Sequence, residues 1–428
     1  MNLNRIRRAS RPARLGPALA ASLITAAVAL TGCSSGSSST GVAQGSGSPL
    51  AATSAAEIPV GVIGSYSGPE ASNVAPSKPT IEAWADSVNA AGGIDGRKVR
   101  LFIDDDRGNV QASVQDVKQL VEEDHVVALV GEASSSGYAA WASYVTKAGV
   151  PVVGGITQDT PFITSPDFFA AAGNLIASFY GTAAVAAKDG SKYGELYCAE
   201  ITACAGVVPI LNSVAKTTGV KISYSGAAAA TAADYTAQCQ GLKDAGVQSY
   251  GLALASSVLM RVHDQCVQQG LTAPVIVTNA IDSSFLSDPS FNGTQLVESV
   301  HPFWDTTTPS GKAMHAALAK YAPSVGSATV PFNGQVSLAW GAGLLFEAAV
   351  RAAGSGPVTS ASVKRGLYAL KGDTLGGFTT PLTFTPGKPN LIDSYYTFAI
   401  KNGQFVAPDG LAPKLAPTSL VNSIAAGF

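Results

Sequence analysis

The stretch VVALVGEASSSGYAAWASYVTKAGVPVV, residues 126–153, decides how this chain folds. It opens on a β-branched run at 126–130, breaks at Gly131 into small polar residues as far as Gly137, and returns through Ala148-Gly149-Val150 to an apolar run at 151–153. Two short apolar runs with a helical stretch between them make a βαβ unit, whose strands lie parallel in one sheet. The turn at 131–137 leads from strand to helix, so it presents the unpaired amides of a helix start together with the hydroxyls of Ser134, Ser135 and Ser136. Such a turn can receive an anion or a carbonyl. The same serines can also do no more than cap the helix.

The pattern extends in both directions. Upstream, strands are expected at 60–63 and 99–103. Helical stretches follow at 79–91, with Ile81, Trp84, Ala85 and Val88 on one face, and at 110–123, with Val110, Val114, Val117 and Val121. After Gly173 the series starts over with a helix at 177–188 and strands at 195–198, 220–224, 249–254 and 275–278. Helices at 234–245 and 258–269 lie between the later strands. Two consecutive doubly wound sheets predict two α/β lobes, and the remainder after His301 must add elements to one or both.

Composition agrees. The chain has 428 residues, enough for two or three domains at roughly 150 each. Only 13% of the residues are charged, against about 25% in an average protein, which excludes wholesale disorder. Arg5, Arg7, Arg8, Arg11 and Arg14 stand apart from any acid; without them 22 basic residues face 29 acidic ones, a formal charge of −7. A phosphate backbone needs clustered Lys and Arg, so no nucleic-acid partner is expected. Those arginines, the Ala/Leu run at 15–30 and Thr31-Gly32-Cys33 read as an export signal over 1–32. Leu30-Thr31-Gly32-Cys33 resembles the bacterial lipobox, with Cys33 as the lipidated residue; ordinary cleavage at small residues is the alternative. The Ser/Gly/Ala-rich stretch 33–57 then reads as a flexible tether.

Four further cysteines, an even number, fit an oxidising compartment. They allow three pairings, of which spacing favours Cys198 with Cys204 across a short loop and Cys239 with Cys266 on successive helices; four buried thiols are the alternative. Reaction chemistry leaves little trace. There is no Walker loop, no G-x-G-x-x-G, no H-E-x-x-H and no C-x-x-C, and the four histidines are scattered. Asp104-Asp105-Asp106 ends a strand just before a helix, where Asp serves as turn former and cap. No catalytic residue, metal or cofactor is expected.

Several segments in order resemble the bacterial extracellular solute-binding proteins of the Leu/Ile/Val-binding type. They are Gly64-Ser65-Tyr66-Ser67-Gly68-Pro69, Ala90-Ala91-Gly92-Gly93-Ile94-Asp95-Gly96-Arg97, Asp104-Asp105, Gly131-Glu132-Ala133-Ser134-Ser135-Ser136, Ala148-Gly149-Val150-Pro151-Val152, Asp234-Tyr235 with Leu242-Lys243-Asp244-Ala245-Gly246, and Gly376-Gly377-Phe378 with Pro381-Leu382-Thr383-Phe384. The likeness covers about residues 58–404. It implies the type I periplasmic binding protein fold: two Rossmann-like doubly wound lobes joined by a three-crossover hinge. The expected lobes are 58–173 with 302–372 and 174–301 with 373–404, leaving 405–428 as a C-terminal extension.

The resemblance implies a monomer, anchored by lipid to the outer face of the bacterial cell membrane. Its lobes would close on a small molecule and deliver it to the permease subunits of an ABC importer. A ligand sensor without transport, or an enzyme on the same sheet, are the alternatives. Expected contacts are Ser135 with its neighbours Ser134 and Ser136, Tyr66, and Ile156 and Thr157. Asn73 stands where relatives carry an aromatic, and Asn279 where amino-acid binders present an acid to the ligand ammonium, with Asp282 three residues on. That incomplete clamp predicts weak binding of leucine, isoleucine and valine, and a preference for a neutral or anionic amide or acid.

Overall fold

The computed structural model describes residues 57–68, 71–134, 137–200 and 202–428. The expected signal peptide, the tether up to residue 56 and Cys33 lie outside them, as do Ser135 and Ser136. Strand β1 (Ile58–Gly64) holds Val60, Val62 and Ile63 with no exposure, as a strand covered on both faces must. It pairs in parallel with β2 (Val99–Asp105) and β3 (Leu129–Glu132). Strands β4 (Val152–Gly155) and β5 (Phe168–Phe169) extend the sheet to the order β2-β1-β3-β4-β5.

Helix Ser77–Ala90 covers this sheet with the predicted stripe, Ile81, Trp84, Ala85 and Val88, all buried. Helix Val110–Glu122 is rotated from its predicted stripe: Ser113, Val117 and Leu120 are buried, while Val110, in the first turn, is 37% exposed. Its cap is Asn109, which accepts from the Ala112 N–H at 2.9 Å, and not one of the preceding aspartates.

The second sheet repeats the plan with β6 (Lys192–Cys198), β7 (Lys221–Ala228), β8 (Ser249–Ala253), β9 (Val275–Thr278) and β10 (Gln295–Glu298), all parallel in the order β7-β6-β8-β9-β10. Cys239 and Cys266 join helices Thr236–Asp244 and Ser256–Gln268 with Cα atoms 5.0 Å apart, and Cys198 joins Cys204 at 5.5 Å. Three histidines have internal partners: His263 the Tyr250 hydroxyl, His301 the Asp305 carboxylate and His315 the Phe303 carbonyl.

After β10 the chain returns to the first sheet. Helix Gly334–Ala352 lies on β3 and β4 and crosses helix Ser77–Ala90 so closely that a Cβ at Gly343 would overlap the Trp84 ring. Strands β11 (Lys371–Asp373) and β12 (Leu382–Thr383) then form a small hairpin, and Phe384 meets Phe169 of the first sheet edge-on at 5.3 Å. Residues 373–384 therefore sit with the first lobe, and the boundary drawn at 372 falls too early. Strands of two and three residues carry no alternation for a sequence reading to find.

The last part rejoins the second sheet. Strand β13 (Ser394–Lys401) runs antiparallel to β10, with β14 (Gln404–Val406) and β15 (Lys414–Leu415) paired to it. Helix Thr418–Ala425 buries Val421 against helices Leu175–Asp189 and Val207–Thr218, so the C-terminal segment is part of this lobe. Three crossings connect the lobes and are bonded to one another. The Gly173 N–H donates to the Ser299 carbonyl at 2.9 Å, and the Asn174 N–H and Nδ2 both reach the Ile392 carbonyl.

Candidate ligand-binding site

In open α/β sheets ligands collect outside the carboxyl ends of the strands, where strand order reverses. Here the order reverses between β1 and β3 and between β6 and β8, and residues beyond the strand ends of both sheets enclose one cavity of about 580 Å³. The last residues of β6 to β10, namely Cys198, Ala228, Ala253, Thr278 and Glu298, all line it. The first lobe contributes Asn73, Ile156, Gln158, Asp159 and the start of helix Gly334–Ala352. A larger depression of about 880 Å³ beside Ala148, Lys364 and Tyr368 touches the first lobe alone, so the cleft is the candidate site.

One side of the cavity is apolar. Leu175 and Phe179, one helical turn apart, face it together with Val207, Leu254, Val258, Leu338 and the Cys198–Cys204 disulfide. The seam between the lobes is polar. Gln158 Nε2 donates to Ser299 Oγ across it, and within the first lobe Asn333 Nδ2 donates to the Asn73 carbonyl at 3.0 Å beside it. The Ser283 N–H reaches the Phe332 carbonyl at 2.8 Å. Asn279 has φ +53°, the left-handed region that Asn tolerates better than most residues, and there its Oδ1 accepts from the Ser299 N–H at 2.8 Å.

The residues singled out in the sequence divide. Asn73, Ile156 and Asn279 line the cavity. Thr157 does not: it is 1% exposed and its Oγ1 donates to the Gly173 carbonyl at 2.7 Å, tying down the first crossing. Ser134 is buried and bonded to Asp106, not to the cavity. The Tyr66 hydroxyl is buried without a partner, and burial and the Glu132 charge push its pKa up. Asp282 caps the short helix Ser283–Ser287, accepting from the Ser284 N–H at 2.8 Å and from its hydroxyl, and is not on the cavity. The acid three residues past the strand thus serves a turn.

Three groups escaped the sequence reading. Gln158 and Ser299 close the seam, and Glu298 ends β10 at 2% exposure with Oε1 unpartnered. Burial pushes the Glu298 carboxyl up to about 8, against the pull of the Ile281 N–H. The available signal was an acid inside the apolar run of Leu296 and Val297. In the first lobe burial also raises Asp159, which accepts from the Tyr138 hydroxyl, and Glu132, which faces the Asp159 charge.

A family profile described as periplasmic binding protein matches residues 57–404. An amino acid binding protein of Pseudomonas aeruginosa is 31% identical over 111 residues, 26% of this chain and 28% of that protein's length. Solved structures reproduce the fold. An extracellular ligand-binding receptor from Verminephrobacter eiseniae superposes with a TM-score of 0.72 at 20% identity, over 82% of this chain and 99% of its own. A fatty acid ABC transporter substrate-binding protein from Thermomonospora curvata gives 0.71 at 16% identity, over 85% and 93%. A branched-chain amino acid transporter substrate binding protein from Streptococcus pneumoniae, in complex with isoleucine, gives 0.68 at 20%, over 84% and 99%.

Proposed function

The chain belongs to the periplasmic binding protein family, and from that premise we propose that it is a non-enzymatic, lipid-anchored receptor that captures a small metabolite between its lobes and delivers it to an ABC importer. The observation that carries this is the cavity at the strand ends, walled by both lobes. A ligand touching both walls favours the closed arrangement by its differential affinity for it, and a permease can read that closure. Cys33 is the anchor and the stretch after it the tether, which keeps a monomeric receptor near the membrane. The lobes are 58–173 with 302–384 and 174–301 with the remainder.

The ligand is amino-acid-like, or an amide or acid, with a polar end for Gln158, Asn279 and Ser299 and an apolar body for Leu175 and Phe179. Pockets of about 300–1,000 Å³ hold drug-sized ligands, so about 580 Å³ leaves space beyond a branched-chain amino acid. Native mass spectrometry of the protein purified without denaturation, with scattering before and after ligand removal, tests the reading. A bound small molecule and a smaller radius in its presence are expected. An empty cleft and an unchanged radius, or turnover of a substrate abolished by a cleft substitution, would overturn it. Cys33→Ala should release the protein from the membrane fraction.

A further inference from the structure

Acids line the cleft and bases do not. Glu298, Asp159 and Glu200 border the cavity, whereas no Lys, Arg or His among the described residues does. Glu200 is engaged, its Oε1 accepting from the Ala230 N–H at 2.5 Å. Glu298 is not, with its 2% exposed side chain at the cavity wall and Oε1 lacking a partner. Across the cleft Asp159 keeps Oδ2 without a partner, and Glu132, 1% exposed, keeps Oε2 likewise. A buried carboxyl short of a donor is costly or stays protonated, and a ligand that brings N–H donors and positive charge relieves it. A ligand carboxylate would instead add a like charge with no cation to meet it.

We propose that the cleft takes an organic cation, an ammonium-bearing molecule with an apolar body and no carboxylate, received by Glu298 from the second lobe and Asp159 from the first. This rests on the solute-binding reading, and in place of the amino-acid-like, amide or acid ligand given there it puts a cation. It also reverses the neutral or anionic preference drawn from Asn279, because Glu298 supplies from the neighbouring strand the acid that Asn279 lacks. An ammonium offers three donors and no acceptor, which suits the unpartnered oxygens of Glu298 and Asp159. Leu175, Phe179 and Val207 take the body.

The test uses the full-length protein purified in detergent and matched pairs of amine and carboxylic acid on the same skeletons, propyl to decyl with phenylethyl and indolylethyl, together with tryptophan. Thermal shift selects binders and calorimetry measures them. The amines should bind at least tenfold more tightly than their matched acids, and indolylethylamine more tightly than tryptophan. Glu298→Gln should weaken amine binding at least tenfold and Asp159→Asn by a smaller factor, with both apo proteins melting no lower than the wild type. Tighter binding of the acids, amine binding unchanged in both variants, or silence of both sets would overturn the cationic assignment. A co-purified carboxylate or zwitterion would remove the cation and leave the solute-binding reading standing; an empty protein that binds nothing would remove both.

Discussion

The Asp106 network in the floor of the first lobe and Glu298 in the far wall of the second both bury polar groups at strand ends, and hydrogen bonding treats the two oppositely. In the floor, Asp106 has no exposure and accepts from Ser65 Oγ at 2.7 Å, the Gly108 N–H at 2.8 Å and Ser134 Oγ. Ser134 Oγ in turn accepts from the Gly137 N–H at 3.1 Å, and Trp141 Nε1 donates to Ser113 Oγ at 3.0 Å. This network ties the ends of β1, β2 and β3 together. In the wall, Glu298 ends a strand with one oxygen unmatched. A satisfied buried network rigidifies, whereas an unmatched group beside a cavity has capacity left for a ligand. Burial alone therefore does not mark a site; unused hydrogen-bonding capacity at a cavity does.

Breaking the floor should have the largest effect. Asp106→Ala removes the carboxylate that the buried Ser65 and Ser134 hydroxyls and the half-buried Gly108 N–H donate to, at about 1–3 kcal/mol for each group not rescued. A loss of about 3 kcal/mol or more is expected in urea unfolding. A loss under about 1 kcal/mol would mean that the network is not what holds the strand ends.

Asp105 in the first lobe and Glu298 in the second also differ in the charge state they favour, although Glu132 and Asp159 of the first lobe are raised as Glu298 is. In the floor burial raises Asp105, but hydrogen bonds from Ser67 and the Arg107 N–H outweigh it and hold the carboxylate below its usual range. In the second lobe burial raises Glu298 and Glu195 from 4.5 to about 8. A carboxyl raised in the folded state keeps its proton where the unfolded chain has lost it, so its contribution falls as pH rises towards 8. Burial depresses His263, His301 and His315, which act in the opposite sense below their ordinary value of 6.5. Between 6.5 and 8 the carboxyls dominate, and ligand-free stability should drop by about 3 kcal/mol, from two groups at about 1.4 kcal/mol per unit each with the slope easing as they titrate near 8. Unfolding curves at four pH values check this; stability rising across that window would contradict it, and Glu298→Gln with Glu195→Gln should reduce the slope to the share carried by Glu132 and Asp159.

Glu298→Gln alone should cause no loss of stability at pH 7 and can gain up to about 3 kcal/mol, because an amide of the same size never has to take up the proton that the unfolded chain has lost. The contrast with Asp106→Ala is the sharper test of the comparison. Equal losses in the two variants would mean that Glu298 is structural.

Most of the fold could be read from alternating runs and helical stripes, since β1 to β4 and β6 to β9 are strongly patterned. The floor could be read as polar but not as closed, because serines that cap, bond or bind look alike until Asp106 is seen beneath Ser134. Asn279 is legible only through the resemblance, as the position where amino-acid binders present an acid. Glu298 carries no such signal, because ligand contacts are expected in the loops past strand ends and this acid is the last residue of the strand itself. Asp282 was over-read for the converse reason: an Asp just past a strand is as good a cap as a ligand.

The smallest effect is expected at Asn279, where two contributions nearly cancel. Its φ of +53° is a conformation that glycine adopts without the Cβ penalty, so Asn279→Gly relieves strain of about 1 kcal/mol. The same change removes the acceptor for the Ser299 N–H at 2.8 Å, a bond contributing about 1 kcal/mol. Asn279→Gly should therefore melt close to the wild type, while Asn279→Ala, which loses the bond and keeps the strain, should be less stable by about 1 kcal/mol. Ser299 also receives Gln158 from the first lobe, so both variants loosen the seam that positions Glu298's neighbour. Ligand affinity should fall in both by a similar factor, smaller than for Glu298→Gln. If Asn279→Ala lowers affinity more than Glu298→Gln does, the neutral amide rather than the acid anchors the ligand, and the wall is a dipolar surface instead of an ionic one.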